Sequence, residues 1–190
     1  MPGPIGNHAE YVVVAGSGKV YVGPTTATAP TNVAGALVLT AGNWSELGFI
    51  SEDGATFTEG KDVTDINAWQ SFYPVRKMVT GRTVEISFAL REFNKRAVEF
   101  ALGGTASINA AEWKYTPPSP TDLSIKSLVL EWTDGTKGYR LYVPNGIVTE
   151  AVETNLTRTS AADLPVTFSA TDPGTGNIYT LFTNDISFSS

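Results

Sequence analysis

The clearest periodicity in the chain runs through residues 82–91, where Val84, Ile86, Phe88 and Leu90 alternate with Thr83, Glu85, Ser87 and Ala89. Successive side chains of a strand point to opposite faces, so this pattern predicts a β-strand with one apolar and one polar face. The period then changes. Over residues 95–102 the apolar positions Ala97, Val98, Ala101 and Leu102 fall at helical spacing, Asn94 stands where an N-cap belongs, and Gly103 ends the run. Phe93 and Val98 are spaced as a hydrophobic staple. One helix is predicted, at about residues 94–102.

Strand patterns fill much of the remainder. Residues 11–14 (YVVV) and 19–22 (KVYV) flank AGSG and predict a hairpin. Residues 126–133 alternate Leu128, Leu130 and Trp132 with Ser127, Val129, Glu131 and Thr133; Asp134-Gly135 turns the chain, and residues 138–143 return as the partner. Residues 147–153 read as another strand, and residues 164–170 and 177–182 as a last pair around Asp172-Pro173-Gly174. Short strands, frequent turns and one helix predict a mainly β protein, an antiparallel β-sandwich with one flanking α-helix. At 190 residues a single domain, 1–190, is expected, with the Pro/Gly-rich residues 1–9 as an extended N-terminal arm.

Two stretches depart from these patterns. Residues 23–42 carry no charge, and Val33, Leu37, Val38 and Leu39 predict that the segment is covered rather than left in water. Residues 44–81 hold Trp44, Phe49, Phe57, Trp69, Phe72 and Tyr73, while turn-forming and acidic residues are spread too evenly for one long strand or helix. A long loop is predicted there, and loops beyond roughly 12–15 residues are usually functional or disordered. Its front half carries Glu46, Glu52, Asp53, Glu59, Asp62 and Asp65 against Lys61, and its back end Arg76, Lys77 and Arg82. Copies are expected to attract head to tail. Trp44 and Trp69 are expected at a protein interface, where Trp is enriched at the centre, whereas Trp132 shares the register of Leu128 and Leu130 and is expected in the core.

Composition narrows the chemistry. A net charge of -6 argues against a protein that grips nucleic acid through its phosphates. The absence of cysteine removes disulfides, thiolate metal sites and cysteine nucleophiles. No signal peptide and no run of about 20 apolar residues is present, so synthesis in the cytoplasm and no membrane insertion are expected. Gly16-Ser17-Gly18-Lys19 is followed by Val20 and a strand, whereas a phosphate cradle needs a helix N-terminus. The single histidine, His8, argues against a Ser-His-Asp triad or a histidine metal centre. Asp53, Glu59, Asp62 and Asp65 lack the ladder and central glycine of a calcium loop. Glu150 and Glu153, three apart on a strand, point to opposite faces and fail as a glycosidase pair. No catalytic residue, metal or cofactor is expected.

The order Trp44-x-x-Leu47-Gly48-Phe49-Ile50-Ser51-Glu52-Asp53-Gly54, then Asp62-Val63-Thr64-Asp65-Ile66 and Ala68-Trp69-Gln70, then residues 83–90, Glu92, Asn94 and the helix to Gly103, resembles major tail tube proteins of long, non-contractile-tailed bacteriophages, notably those of actinobacteria. The resemblance is strongest over residues 10–104. It implies a fold shared with the inner tubes of contractile tails and type VI secretion systems, and a structural protein rather than an enzyme. Hexameric rings would stack into a hollow tube in the virion tail, assembled in the host cytoplasm. The long loop and the N-terminal arm would bridge rings, with Trp44, Phe49, Phe57, Asp62, Asp65, Trp69, Phe72, Tyr73, Arg76 and Lys77 as candidate stacking-loop residues. Glu85 and Glu131, each on the polar face of a strong strand, are candidates for the lumen. The implied partners are further copies, the tape measure protein, the tail terminator and tail tip proteins, and DNA passing without sticking. The exposed tryptophans leave an alternative: a carbohydrate- or protein-binding sandwich on a virion or cell surface.

Overall fold

The computed structural model describes residues 9–35, 37, 39–40, 43–109, 112–119, 124–150 and 153–186. Residues 1–8 of the expected arm, His8 among them, and Val38 lie outside the described residues. The strands are β1 (Ser17–Gly23), β2 (Ser45–Glu46), β3 (Ile50–Ile66), β4 (Arg76–Leu90), β5 (Thr105–Asn109), β6 (Glu112–Thr116), β7 (Lys126–Asp134), β8 (Lys137–Val148), β9 (Leu164–Ala170) and β10 (Thr180–Thr183), with helix α1 (Lys95–Leu102) after β4. The main sheet runs β2-β1-β7-β8-β9-β4-β3 with β10 also on β8, every pairing antiparallel, and β5–β6 forms a separate hairpin.

Strand β8 turns this path into a sandwich. Its first half pairs with β7 and β10, and its last three residues pair with β9. The crossing falls at Gly146, where a Cβ would stand 2.5 Å from the Phe168 ring and 2.7 Å from the Ser169 carbonyl. Only glycine permits that approach. One layer turns Val20, Leu128, Leu130, Leu141 and Val143 inward, and the other Ile86, Phe88, Leu90, Leu164, Val166 and Phe168. In the second layer Ile86 faces Phe168, Phe88 faces Val166 and Leu90 faces Leu164 across the β4–β9 ladder. This is the face that the alternation in residues 82–91 predicts.

Helix α1 forms where its local signals place it. The Asn94 side chain accepts from the Ala97 N–H at 2.9 Å, and Gly103, at φ 70°, ends the helix. Phe100 stacks between Phe88 and Phe168 at 6.2 and 6.0 Å, and with Ala97 and Ala101 forms the buried face. Val98 is half-buried; Leu102 and Phe93 are exposed.

Described residues of the uncharged stretch 23–42 form a cover. Tyr21, Val129 and Tyr142 stand in register across β1, β7 and β8 on the outer face of the first layer, and Ala27, Leu37 and Trp44 pack over them. Trp44 is 1% exposed; it meets Tyr142 edge-on at 6.0 Å and donates from Nε1 to the Thr28 carbonyl at 2.8 Å. Leu39 remains exposed.

Four sequence expectations are corrected. Residues 11–14 do not pair with β1, whose partners are β7 and β2. Residues 44–81 are not a loop but mostly the two long strands β3 and β4. Residues 147–148 are the end of β8 rather than the start of a new strand, and β10 pairs with β8 rather than β9. In each case pairing depends on which segment comes to lie alongside, which local propensity does not show. The β5–β6 hairpin was not anticipated.

Candidate functional site

At about 3.3 Å per residue, the 17 residues of β3 extend over roughly 55 Å. Only the proximal part of the β3–β4 hairpin belongs to the sandwich. β9 pairs with β4 from Glu85 to Leu90, so among the described residues β4 has β3 as its only neighbour over residues 76–84, and the outer edge of β3 is open throughout. The distal half is a two-stranded arm with residues 67–75 at its tip. An isolated hairpin is at best marginally stable in water.

The arm is braced at its root and along its length. Phe57 meets Tyr179 edge-on at 5.2 Å, and the Tyr179 hydroxyl donates to Glu59 at 2.9 Å, which raises the phenol's pKa above its ordinary value. Arg82 lies 3.8 Å from Glu59, and Lys77 bonds Asp65, directly opposite it, at 2.6 Å. Val63 pairs with Val79 beyond a register shift at Asp62/Val63. At the tip Val75 N–H donates to Ile66 O at 2.9 Å, and Ser71 Oγ donates to Tyr73 O at 2.9 Å.

Among the described residues the aromatic side chains at the tip stand almost fully exposed. Trp69 is 99% exposed, Phe72 105% and Tyr73 80%, while Ile66, Val75, Met78, Val63 and Val79 continue apolar surface down the arm. Burying one such aromatic removes on the order of 150–250 Å² from water, so a cluster of three exposed on one projection calls for a partner.

The structure divides the predicted site residues. Trp69, Phe72, Tyr73 and Arg76 lie at or beside the tip, Asp62, Asp65 and Lys77 on the arm, and Phe57 at the root. Phe49 is exposed at the opposite end of β3, where its N–H donates to Glu92 at 2.9 Å. Trp44 is corrected: its ring is enclosed by its own chain and offers no surface to a neighbour. The divided charge is also reassigned. Asp65–Lys77 and Glu59–Arg82 pair acid and base across the hairpin, within one chain. Glu85 lies on the outer face of the second layer, opposite Thr58 and Ser169. Glu131 lies on the outer face of the first, where it binds the guanidinium of buried Arg140 at 2.6 Å. The two acids therefore occupy different faces. Val63, Ile66, Val75, Met78 and Val79 were missed; the β-branched pattern of Val63 and Ile66 was the available signal.

Among the described residues no group of three or more His, Asp or Glu is placed to hold a metal ion. A cleft of about 310 Å³ beside α1 contains Glu99 and Glu150, but Glu99 accepts from the Ala106 N–H at 2.7 Å and Glu150 from the Thr167 hydroxyl at 2.8 Å.

The fold is a sandwich from which a half-paired hairpin projects, with the three most exposed aromatics among the described residues at its tip. The chain belongs to the phage tail tube protein family, whose sequence profile matches residues 5–190. Among solved structures it is similar to a chain described as "Virion of native gene transfer agent (GTA) particle", with 9% identity, a TM-score of 0.39, and coverage of 74% of this chain and 88% of that one. Among curated proteins none matches it.

Proposed function

We propose that the protein is the tube-forming subunit of a long, non-contractile phage tail, assembling as hexameric rings that stack into a hollow conduit. The projecting arm carries this reading: its tip holds Trp69, Phe72 and Tyr73, the most exposed aromatic side chains among the described residues, at the end of a lever suited to reach a subunit of the next ring. A head-to-tail contact of this kind propagates, whereas a two-fold contact closes. The conduit would enclose a tape measure protein, then pass DNA, and would be bounded by tail terminator and tail tip proteins. Synthesis and assembly would take place in the host cytoplasm.

The outer face of the second layer fits a channel wall. Thr56, Thr58, Thr83, Ser87 and Ser169 share it with Glu85, giving hydroxyls and an acid that neither grip nor stack DNA, while Thr167 on the same face is buried and donates to Glu150. Glu85 is retained as a lumen residue. Glu131, tied to Arg140, holds the covering segment instead, because Arg140 also donates to the Asn32 carbonyl. Electron microscopy of the purified protein at high concentration tests the proposal. Rings or tubes are expected; a strict monomer under every condition would overturn it.

A further inference from the structure

The β3–β4 ladder is uneven along its length. At the root Phe57 meets Tyr179, whose ring packs against the main core and whose hydroxyl donates to Glu59. Arg82, 3.8 Å from Glu59, completes this brace. Farther out Val63 pairs with Val79, Thr64 with Met78, Asp65 with Lys77 and Ile66 with Arg76 in unbroken register. The Asp65–Lys77 ion pair at 2.6 Å and the bond from Val75 N–H to Ile66 O at 2.9 Å close that block. Between the two braced parts lie residues 60–62 of β3 and 80–83 of β4.

Each kind of cross-strand support is weakened in this short stretch. Both strands place a glycine there, Gly60 opposite Thr83 and Gly81 opposite Asp62, so neither position forms a side-chain pair of the sort that stabilises a sheet. The neighbours lean into the empty places: a Cβ would stand 2.5 Å from Thr83 Oγ1 at Gly60 and 2.9 Å from Asp62 Oδ2 at Gly81. Lys61 stands directly opposite Arg82, and like charges in that relation are destabilising. The register then slips between Asp62 and Val63, so that Thr80 has no opposite residue on β3. A bulge of this kind interrupts the ladder and bends the strand that carries it. The Thr80 hydroxyl lies 3.3 Å from Asp62 O and 3.4 Å from Thr64 Oγ1, both long contacts. β9 has already left β4 at Glu85, so among the described residues no third strand splints the stretch.

We infer that residues 60–62 and 80–83 form a hinge, about which the distal arm, residues 63–79, turns as one body while the root stays fixed to the sandwich. A hinge needs a few residues that absorb the change in backbone angles between two parts that keep their shape. The glycines, the like-charge pair and the bulge supply the first, and the Tyr179 brace and the Asp65–Lys77 block supply the second. At about 3.3 Å per residue, the paired positions 62–66 carry the tip roughly 15 Å beyond the hinge, so a small rotation there sweeps Trp69, Phe72 and Tyr73 over a wide arc. The sandwich fixes where the arm begins, and the surface that receives the tip fixes its bearing. The hinge is a property of the single subunit and stands independently of rings and tubes.

The chain has no cysteine, so introduced thiols carry nitroxide labels without background. Distances are measured by pulsed electron paramagnetic resonance on dilute, unassembled protein. Thr56→Cys with Met78→Cys spans the hinge, and Thr56→Cys with Thr136→Cys lies within the sandwich. The spanning distance is expected to be distributed at least about twice as broadly as the one within the sandwich. Deleting Thr80, which restores continuous pairing, together with Lys61→Glu, which sets opposite charges across from each other, should narrow the spanning distribution to the width of the sandwich pair. Equal widths in the starting protein overturn the hinge. A spanning distribution that stays broad after these two changes, while the sandwich pair is unaltered, also overturns it, because residues 63–66 and 76–79 are untouched and the motion would then be fraying of the distal block. Neither result depends on whether the protein forms tubes.

Discussion

Trp44 and Trp69 have similar sequence surroundings and opposite fates. Trp44→Ala empties a closed site between Tyr21, Val129 and Tyr142 and is expected to destabilise the fold by about 3–5 kcal/mol, measured by denaturant unfolding. Trp69→Ala removes a ring that is 99% exposed and should change stability by less than about 0.5 kcal/mol. Equal losses for both would place Trp69 in the core. The distinction was not legible in the sequence, because Trp44 is buried only when it folds back with Ala27 and Leu37 over a face assembled from three other strands. Tyr139 supplies a pH test. Burial first, then its bond to Asp185 at 2.7 Å, pushes its pKa up to about 12. The neutral phenol is favoured in the folded state, so its contribution is complete below the ordinary tyrosine value near 10 and is lost as pH rises through about 12. Tyr139→Phe should flatten the stability profile over that window.

At the scale of elements, the helix and the inner half of β4 were legible and the arm was not. Asn94, Gly103 and the alternation through Leu90 are local signals, readable without knowledge of the rest of the chain. Residues 50–66 contain Gly54, Gly60 and five acids, which read as turn and loop. They remain strand because β4 lies beside them, with register shifts at Ile50/Ala55 and Asp62/Val63 absorbing the mismatch. At Gly60 a Cβ would stand 2.5 Å from Thr83 Oγ1, so the glycine that resembles a turn former makes room for a cross-strand neighbour. The arm's function is predicted to be separable from its folding. The double substitution Trp69→Ala with Phe72→Ala should give a protein with an unchanged melting transition that no longer forms tubes by negative-stain microscopy; loss of the melting transition would assign these residues to the core.

At the scale of the whole molecule, the two outer faces differ in what covers them. The first layer is covered by Ala27, Leu37 and Trp44 and clamped by Glu131 and Arg140, whereas the second leaves Glu85 among hydroxyls. Glu85→Lys should permit assembly but slow DNA ejection, since a ring of added cations would hold phosphates. Glu131→Lys should instead lower the melting temperature, because it leaves buried Arg140 facing a like charge. Normal ejection with Glu85→Lys would remove this residue from the channel. The central claim concerns residues 61–82, an arm that stands unsupported in one subunit and is covered by another. Amide hydrogen exchange before and after assembly tests it most directly: rapid exchange over these residues in the free subunit and strong protection in the tube are predicted, and equal protection in both states would contradict the account.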